Sequence, residues 1–384
     1  MAFAYRDYSI GQFSQIRIDQ NNFVTEKNRE AAFLNNLTLV SVMALRDQLR
    51  PEVAKAVKLC NAGRIDVRIV SGDHLSTAIA FAIQAKIITE EEAKNDKICL
   101  TGDQLKKLVG GINKQQKGGN DLEDQSRFRD LIYNQGIRVV ARATPEHKEM
   151  LAVGLRAMKK AVAATGEGIN DLKALEAADV GFSMGSGVYA AKNVSKMILA
   201  QDNIMSIVNA VLWGRNIYSN VRKFIQFQLT VNFSCLFIAL LSAGIKGTPV
   251  FSVPQLLWIN MIMDVLAALA LAAEGPQIST ITNPPVKNDD PIITKTMMRQ
   301  ILGMTFYVST VMTLLFFFID DMWAGDPATL QEHFVNTMLF NCFIQLHLYN
   351  QFNCRKIKAD QLNPFANILD NFHFLAIWLV INGI

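Results

Sequence analysis

Apolar positions change their spacing along the chain near residue 220. Before that point short β-branched or apolar runs recur at residues 38–45, 67–70, 139–141, 161–165 and 180–183. Helical patterns lie between several of them, at 51–62 and 74–85 for example. Strands alternating with helices predict a parallel sheet covered on both faces. Residues 89–128 are polar and rich in Lys, Gly and Asp, and read as a surface excursion.

Beyond residue 224 the apolar runs lengthen. Runs 224–245, 250–273, 301–319 and 334–349 each approach the ~20 residues that span a bilayer. A fifth run, 372–384, is too short to span fully. A helical stretch at 204–218 precedes the first run, so one long helix is expected to rise from the soluble half into the membrane. Loop charge tests this independently. Arg215, Arg222 and Lys223 precede the first span; Lys287, Lys295 and Arg299 separate the second from the third; Arg355, Lys356 and Lys358 follow the fourth. The alternate loops hold only Lys246 in one and no Lys or Arg in the other, 320–333. Basic loops mark the cytoplasmic side, so the soluble half is expected there.

Composition agrees. Half of the 384 residues are hydrophobic, high for a soluble chain and ordinary for a soluble domain joined to membrane helices. The net charge of +4 comes with no basic arm, RNP pattern or zinc-finger spacing, so no nucleic-acid partner is expected. The five cysteines form no CxxC pair and read as reduced thiols. The first residues do not read as a signal peptide.

Three strand ends carry candidate chemistry, and strand ends are where an open parallel sheet places its ligands. Ser71-Gly72-Asp73-His74 joins a small hydroxyl and a glycine to a helix start, a source of amides for an anion and equally an ordinary N-cap. Arg142-Ala143-Thr144-Pro145-Glu146-His147-Lys148 brings Lys148 onto the start of a helix at the same edge. Gly166-Glu167-Gly168-Ile169-Asn170-Asp171 is a tight acidic turn suited to magnesium, though such turns also simply close loops.

Taken in order, SGDH, ARATPEHKEML, TGEGINDLKALEAADVGFSMG and the earlier ALRDQLRPEV resemble the phosphorylation domain of P-type ATPases. The resemblance continues through FQLTVN, WINMIMD and NQFNCRKI, and is nearest to plasma-membrane-type calcium pumps. It implies a partial α/β haloacid-dehalogenase-like (Rossmannoid) phosphorylation domain at 38–203. Residues 1–37 would be the end of a nucleotide-binding domain with its hinge. An α-helical transmembrane bundle would follow at 204–384. Ser71 and Gly72 would hold a phosphoryl group, Asp73 would orient their loop, and Arg142 would approach nucleotide phosphates. Lys148 would neutralise developing phosphoryl charge. Glu167, Asn170 and Asp171 would hold Mg²⁺, with ATP as substrate and Ca²⁺ as transported ion. At 167 the family usually has aspartate, so weakened magnesium binding is expected.

In the membrane half, Asp264 lies inside an apolar run, where a carboxylate is functional by default. Asn260, at i−4, is expected on the same helix face. Asn232 in the preceding span would complete an oxygen-rich site, and the resemblance makes all three calcium ligands. His347 stands where related pumps carry a polar or acidic side chain, though a lone membrane histidine more often serves packing. Met261 and Met263 read as packing residues.

The family's nucleophile motif, Asp-Lys-Thr-Gly-Thr, does not occur; Asp96-Lys97 is followed by Ile98. The chain is therefore expected to be a C-terminal portion of an ATP-driven calcium pump, inactive by itself. Alternatives are a non-catalytic membrane protein acting on a full pump, and a P-type ATPase of other cation specificity. The expected setting is the plasma or a vacuolar membrane, with the lipid bilayer, ATP and Ca²⁺ as partners. Calmodulin regulation is known in the family, but no site for it is visible in the sequence.

Overall fold

The computed structural model describes residues 1–19, 36–44, 48–113, 121–276, 278–283, 285–286, 290–322, 328–357, 363, 365, 368 and 371–383. Lys287 and Lys358, counted above among the basic loop residues, lie outside them. The chain divides into two compact units, 1–50 and 51–384.

The first unit holds strand β1 (Ala2–Tyr5), helix α1 (Ile10–Asp19) and strand β2 (Thr38–Val42). β2 was expected among the parallel strands. It pairs antiparallel with β1 instead, and most of its side chains are exposed. An apolar extended run fixes strand type but not its partner.

The second unit opens with α2 (Val53–Ala62), β3 (Ile69–Val70), α3 (Leu75–Gln84), β4 (Cys99–Thr101) and α4 (Gly102–Val109). It continues through β5 (Ile112–Asn113), β6 (Asp121–Leu122), α5 (Gln125–Tyr133), β7 (Val139–Ala141) and α6 (Pro145–Ala157). Then come β8 (Ala163–Gly166), α7 (Leu172–Ala177), β9 (Val180–Met184), α8 (Tyr189–Val194) and β10 (Met197–Leu199). The expected single parallel sheet is two three-stranded ones, ordered β3-β7-β4 and β10-β9-β8, every pairing parallel. β3 and β8 are therefore sheet edges.

β7 is buried on both faces. Val139 and Ala141 pack with Ala78 and Ala82 of α3, while Val140 packs with Leu105, Phe128, Met150 and Leu151 on the other side. That is the period-two division of a covered parallel strand. The polar excursion corrects the sequence reading: it supplies β4 and α4, whose Leu100, Leu105 and Val109 enter the core. Sparse apolar residues at helical spacing sufficed, because Thr101 and Gln104 form a capping box that starts α4.

The helical half begins with α9 (Ile204–Lys246), one 43-residue helix, as expected. Its first turns pack on α2 through Val208, Ala56 and Cys60. α10 (Val253–Trp258), a π-helical turn (Ile259–Met263) and α11 (Asp264–Ala272) form one interrupted rod. α12 (Lys295–Met322), α13 (Ala328–Cys354) and α14 (Phe372–Gly383) complete the bundle around a shared apolar core. Among the described residues, three helices are long and apolar enough to cross a membrane: α9, the 253–272 rod and α12. α13 is not one of them; polar residues at 345, 347, 350 and 351 interrupt its apolar sequence.

Candidate functional site

At the C-terminal ends of β3 and β7 the two loops are stitched together. The Arg142 amide donates to the Asp73 carbonyl at 2.9 Å and the Ala143 amide to the Ser71 carbonyl at 2.9 Å. Arg142 takes a left-handed φ of +49° to do so, an uncommon conformation for a side chain of its size. The Ser71 hydroxyl donates to Asp73 Oδ2 at 2.6 Å, and the Asp73 amide donates back to Ser71 Oγ at 3.1 Å. Asp73 thus orients the Ser71 hydroxyl. Ser71 is half-buried; Gly72, Asp73 and Arg142 are exposed.

Thr144 caps α6, with Pro145 in its first turn, which sets Lys148 one turn in. Lys148 Nζ donates to Asp171 Oδ1 at 2.6 Å, and both side chains are largely buried, 19% and 17% exposed. Asp171 Oδ2 accepts from the Glu167 and Gly168 amides at 3.2 and 3.3 Å. Only glycine fits at 166, because a Cβ there would stand 2.3 Å from the Asp171 Cβ. The structure therefore joins Ser71, Asp73 and Arg142 in one cluster and Lys148, Asp171 and the Glu167 backbone in another, both at C-terminal strand ends.

The acidic turn fits Mg²⁺ only in part. Its donors are hard oxygens, and the Glu167 and Asn170 side chains are exposed. Both Asp171 oxygens, however, already serve Lys148 and two amides. Among the described residues no group of three or more His, Cys, Asp or Glu is arranged to hold a metal.

In the bundle Asp264 is buried, 4% exposed. Its Oδ2 accepts from Gln228 Nε2 at 2.6 Å, and its Oδ1 has no protein partner. Gln228 was not singled out by the sequence reading; its place one turn before Asn232 on α9 was the available signal. Asn260 differs from Asp264 in its surroundings: it is exposed, whereas Asp264 is buried. A π turn (Ile259–Met263) lies between them, and the Asn260 side chain donates to the Leu256 carbonyl at 3.0 Å. Asn232 is exposed as well. His347 is fully buried, its ring 4.5 Å from that of Phe343. Met263 packs in the core, whereas Met261 is 68% exposed.

A second polar centre escaped the sequence reading. Glu274, just past the end of α11, pairs with Lys223 of α9 and lies 3.5 Å from Arg355. Its carbonyl accepts from Asn216 and Asn220. Arg215, read from sequence only as a loop charge, donates to the carbonyls of Gly63, Ile281 and Asn283 and ties α2, α9 and the segment after α11 together.

A carboxylate buried among apolar helices, three of them long and apolar enough to cross a membrane, is thus joined to an α/β half that carries an ion-paired lysine. Residues 248–384 match the family described as cation transporting ATPase, C-terminus. Over its whole length the chain is 38% identical to plasma membrane calcium-transporting ATPase 3 of Homo sapiens, covering 30% of that protein. Over 99% of its length it is 38% identical to calcium-transporting ATPase 1 of Mus musculus and 36% identical to ATPase 4 of Bos taurus, again covering 30% of each. Along its whole length the chain is thus similar to plasma membrane calcium-transporting ATPases, and it spans about 30% of the length of these relatives.

Proposed function

We propose that this chain works within an ATP-driven pump that moves Ca²⁺ across a membrane. The observation that carries this reading is the Asp264 carboxylate, buried in the bundle with one oxygen held by Gln228 and the other without a protein partner. A carboxylate at membrane depth is retained for ion or proton traffic. Hard oxygen donors suit Ca²⁺. Asn232, Asn260 and His347 are its proposed companions, with further oxygens needed to complete the six to eight that Ca²⁺ takes.

In the α/β half, residues 38–203 act as a haloacid-dehalogenase-like phosphorylation domain. The Ser71–Gly72 loop receives the phosphoryl oxygens, with Asp73 holding the Ser71 hydroxyl in place. Lys148 supplies positive charge where phosphoryl charge develops. Arg142 faces solvent beside this loop and meets nucleotide phosphates. Glu167, Asn170 and Asp171 would hold Mg²⁺, which neutralises phosphate charge when bound. Asp171 would first have to release Lys148. The soluble half and the basic loops face the cytoplasm of a plasma or vacuolar membrane.

The test is ATP-dependent uptake of radioactive calcium into vesicles carrying the complete pump of which this chain is a portion. Asp264→Asn and Lys148→Ala should each abolish it. Uptake unchanged in Asp264→Asn would remove the carboxylate from the ion site and overturn the reading.

A further inference from the structure

On α13, His347, Asn350, Gln351 and Cys354 follow at i, i+3, i+4 and i+7, so they form one helical stripe. All four are buried, none more than 1% exposed. The stripe faces α9 and α11: Gln351 Nε2 donates to the Ala267 carbonyl at 3.4 Å, and Gln226 Nε2 of α9 approaches Cys354 Sγ at 3.9 Å. One turn above Ala267 on α11 is Asp264, and one turn above Gln351 on α13 is His347. The stripe thus starts at the depth of the buried carboxylate. It ends beside Arg355, which joins Glu274 and Lys223.

The seam is rich in polar atoms that the protein itself leaves unpartnered. They are Asp264 Oδ1, both His347 ring nitrogens, both Asn350 side-chain polar atoms, Gln351 Oε1 and Gln226 Oε1. Two neighbouring hydroxyls on α9 are satisfied within their own helix. Thr230 and Ser234 each bond back to a carbonyl one turn earlier at 2.8 Å. A polar atom without a partner is very unfavourable in hydrocarbon, so several along one stripe call for an occupant. A buried water typically needs two to four polar partners, and this seam offers both donors and acceptors. Beyond His347 a divalent cation fits it poorly, because Asn350, Gln351 and Cys354 bring no carboxylate.

We infer that the α9–α11–α13 interface holds a file of water molecules running from the Asp264 carboxylate to the Lys223–Glu274–Arg355 ion group. The file is a route for water and protons, and keeps the carboxylate in contact with solvent while lipid surrounds the bundle.

The experiment is hydroxyl-radical footprinting of the full chain in lipid nanodiscs, with radicals made by X-ray pulses in heavy-oxygen water. Radicals form on bound water and label the side chains beside it. Phe343, against His347, and Phe128, in the apolar core of the soluble half, are the same chemistry and equally buried. Phe343 should take up heavy oxygen several-fold faster than Phe128. In the double variant Asn350→Leu, Gln351→Leu the labelling of Phe343 should fall to the level of Phe128. Should the variant misfold, Phe128 itself will label, and the wild-type comparison still decides. Equal, slow labelling of Phe343 and Phe128 in the wild type overturns the inference. The readout is water rather than transport, so failure of the pump reading would leave it standing.

Discussion

Gln228 Nε2 stands 2.6 Å from Asp264 Oδ2, and it is the only hydrogen-bond donor given to that buried carboxylate among the described residues. The contact ties α9 to α11 at the level where the π turn ends. Gln228→Leu therefore leaves Asp264 without a donor. Losing the partner of a buried polar group costs about 1–3 kcal/mol, and more where the group is charged. Asn232→Leu and Asn260→Leu, at exposed positions, should change stability far less. Thermal unfolding of the full chain in nanodiscs will separate the three, and equal losses would remove the Gln228 contact from the account.

The Lys148–Asp171 pair makes a similar prediction in the α/β half. Asp171 keeps its two amide donors when Lys148 is replaced, so Lys148→Met should cost about 1–3 kcal/mol, less than the loss of a fully buried ion pair. The double variant Lys148→Met, Asp171→Asn should lose less than the sum of the singles, because residues in contact couple. Hydrogen exchange of β8 and α6 amides under mild denaturant measures all three. Strict additivity would mean that the pair makes no net contribution.

Gly166 makes the same site brittle. A Cβ there would lie 2.3 Å from Asp171 Cβ and 2.8 Å from its Cγ. Gly166→Ala must push Asp171 off the amides of residues 167 and 168, and overpacking of this kind typically costs about 1–3 kcal/mol. Gly136→Ala, where nothing lies within 4 Å but φ is +68°, tests backbone strain alone. A smaller loss at 136 than at 166, in the same unfolding assay, is the expected order.

The parallel strands β3, β7, β8 and β9 were legible in sequence because short apolar runs alternate with helical patterns. Their division into two sheets was not, since pairing partners leave no local trace. The long helix α9 was legible from length and apolarity alone. The π turn between Asn260 and Asp264 was not legible, because it looks like any other apolar segment in sequence. Gln228 and Glu274 were missed for a shared reason. A single polar residue at the rim of an apolar run reads as solvated, and only the packed neighbour reveals that it is held.

Glu274 carries the pH prediction. It follows the C-terminal end of α11, where a helix dipole disfavours negative charge. Burial alone would push its carboxyl group up, but the charges of Lys223, Arg355 and Lys356 outweigh burial and hold it below the usual glutamate range. A carboxyl group depressed in the folded state contributes stability above its unfolded value, near 4.5, and loses it as pH falls through the lower folded value. The wild-type chain should therefore lose thermal stability as pH falls from about 5 towards about 3. Glu274→Gln has lost that contribution at every pH. It should be less stable near neutrality and show a shallower acid decline. Lys223 and Arg355 are almost fully buried, so Glu274→Gln also takes the carboxylate partner away from two cations. Lys223→Met in the same background should recover part of the loss. Parallel acid profiles for wild type and Glu274→Gln would show that other carboxylates set the acid limit.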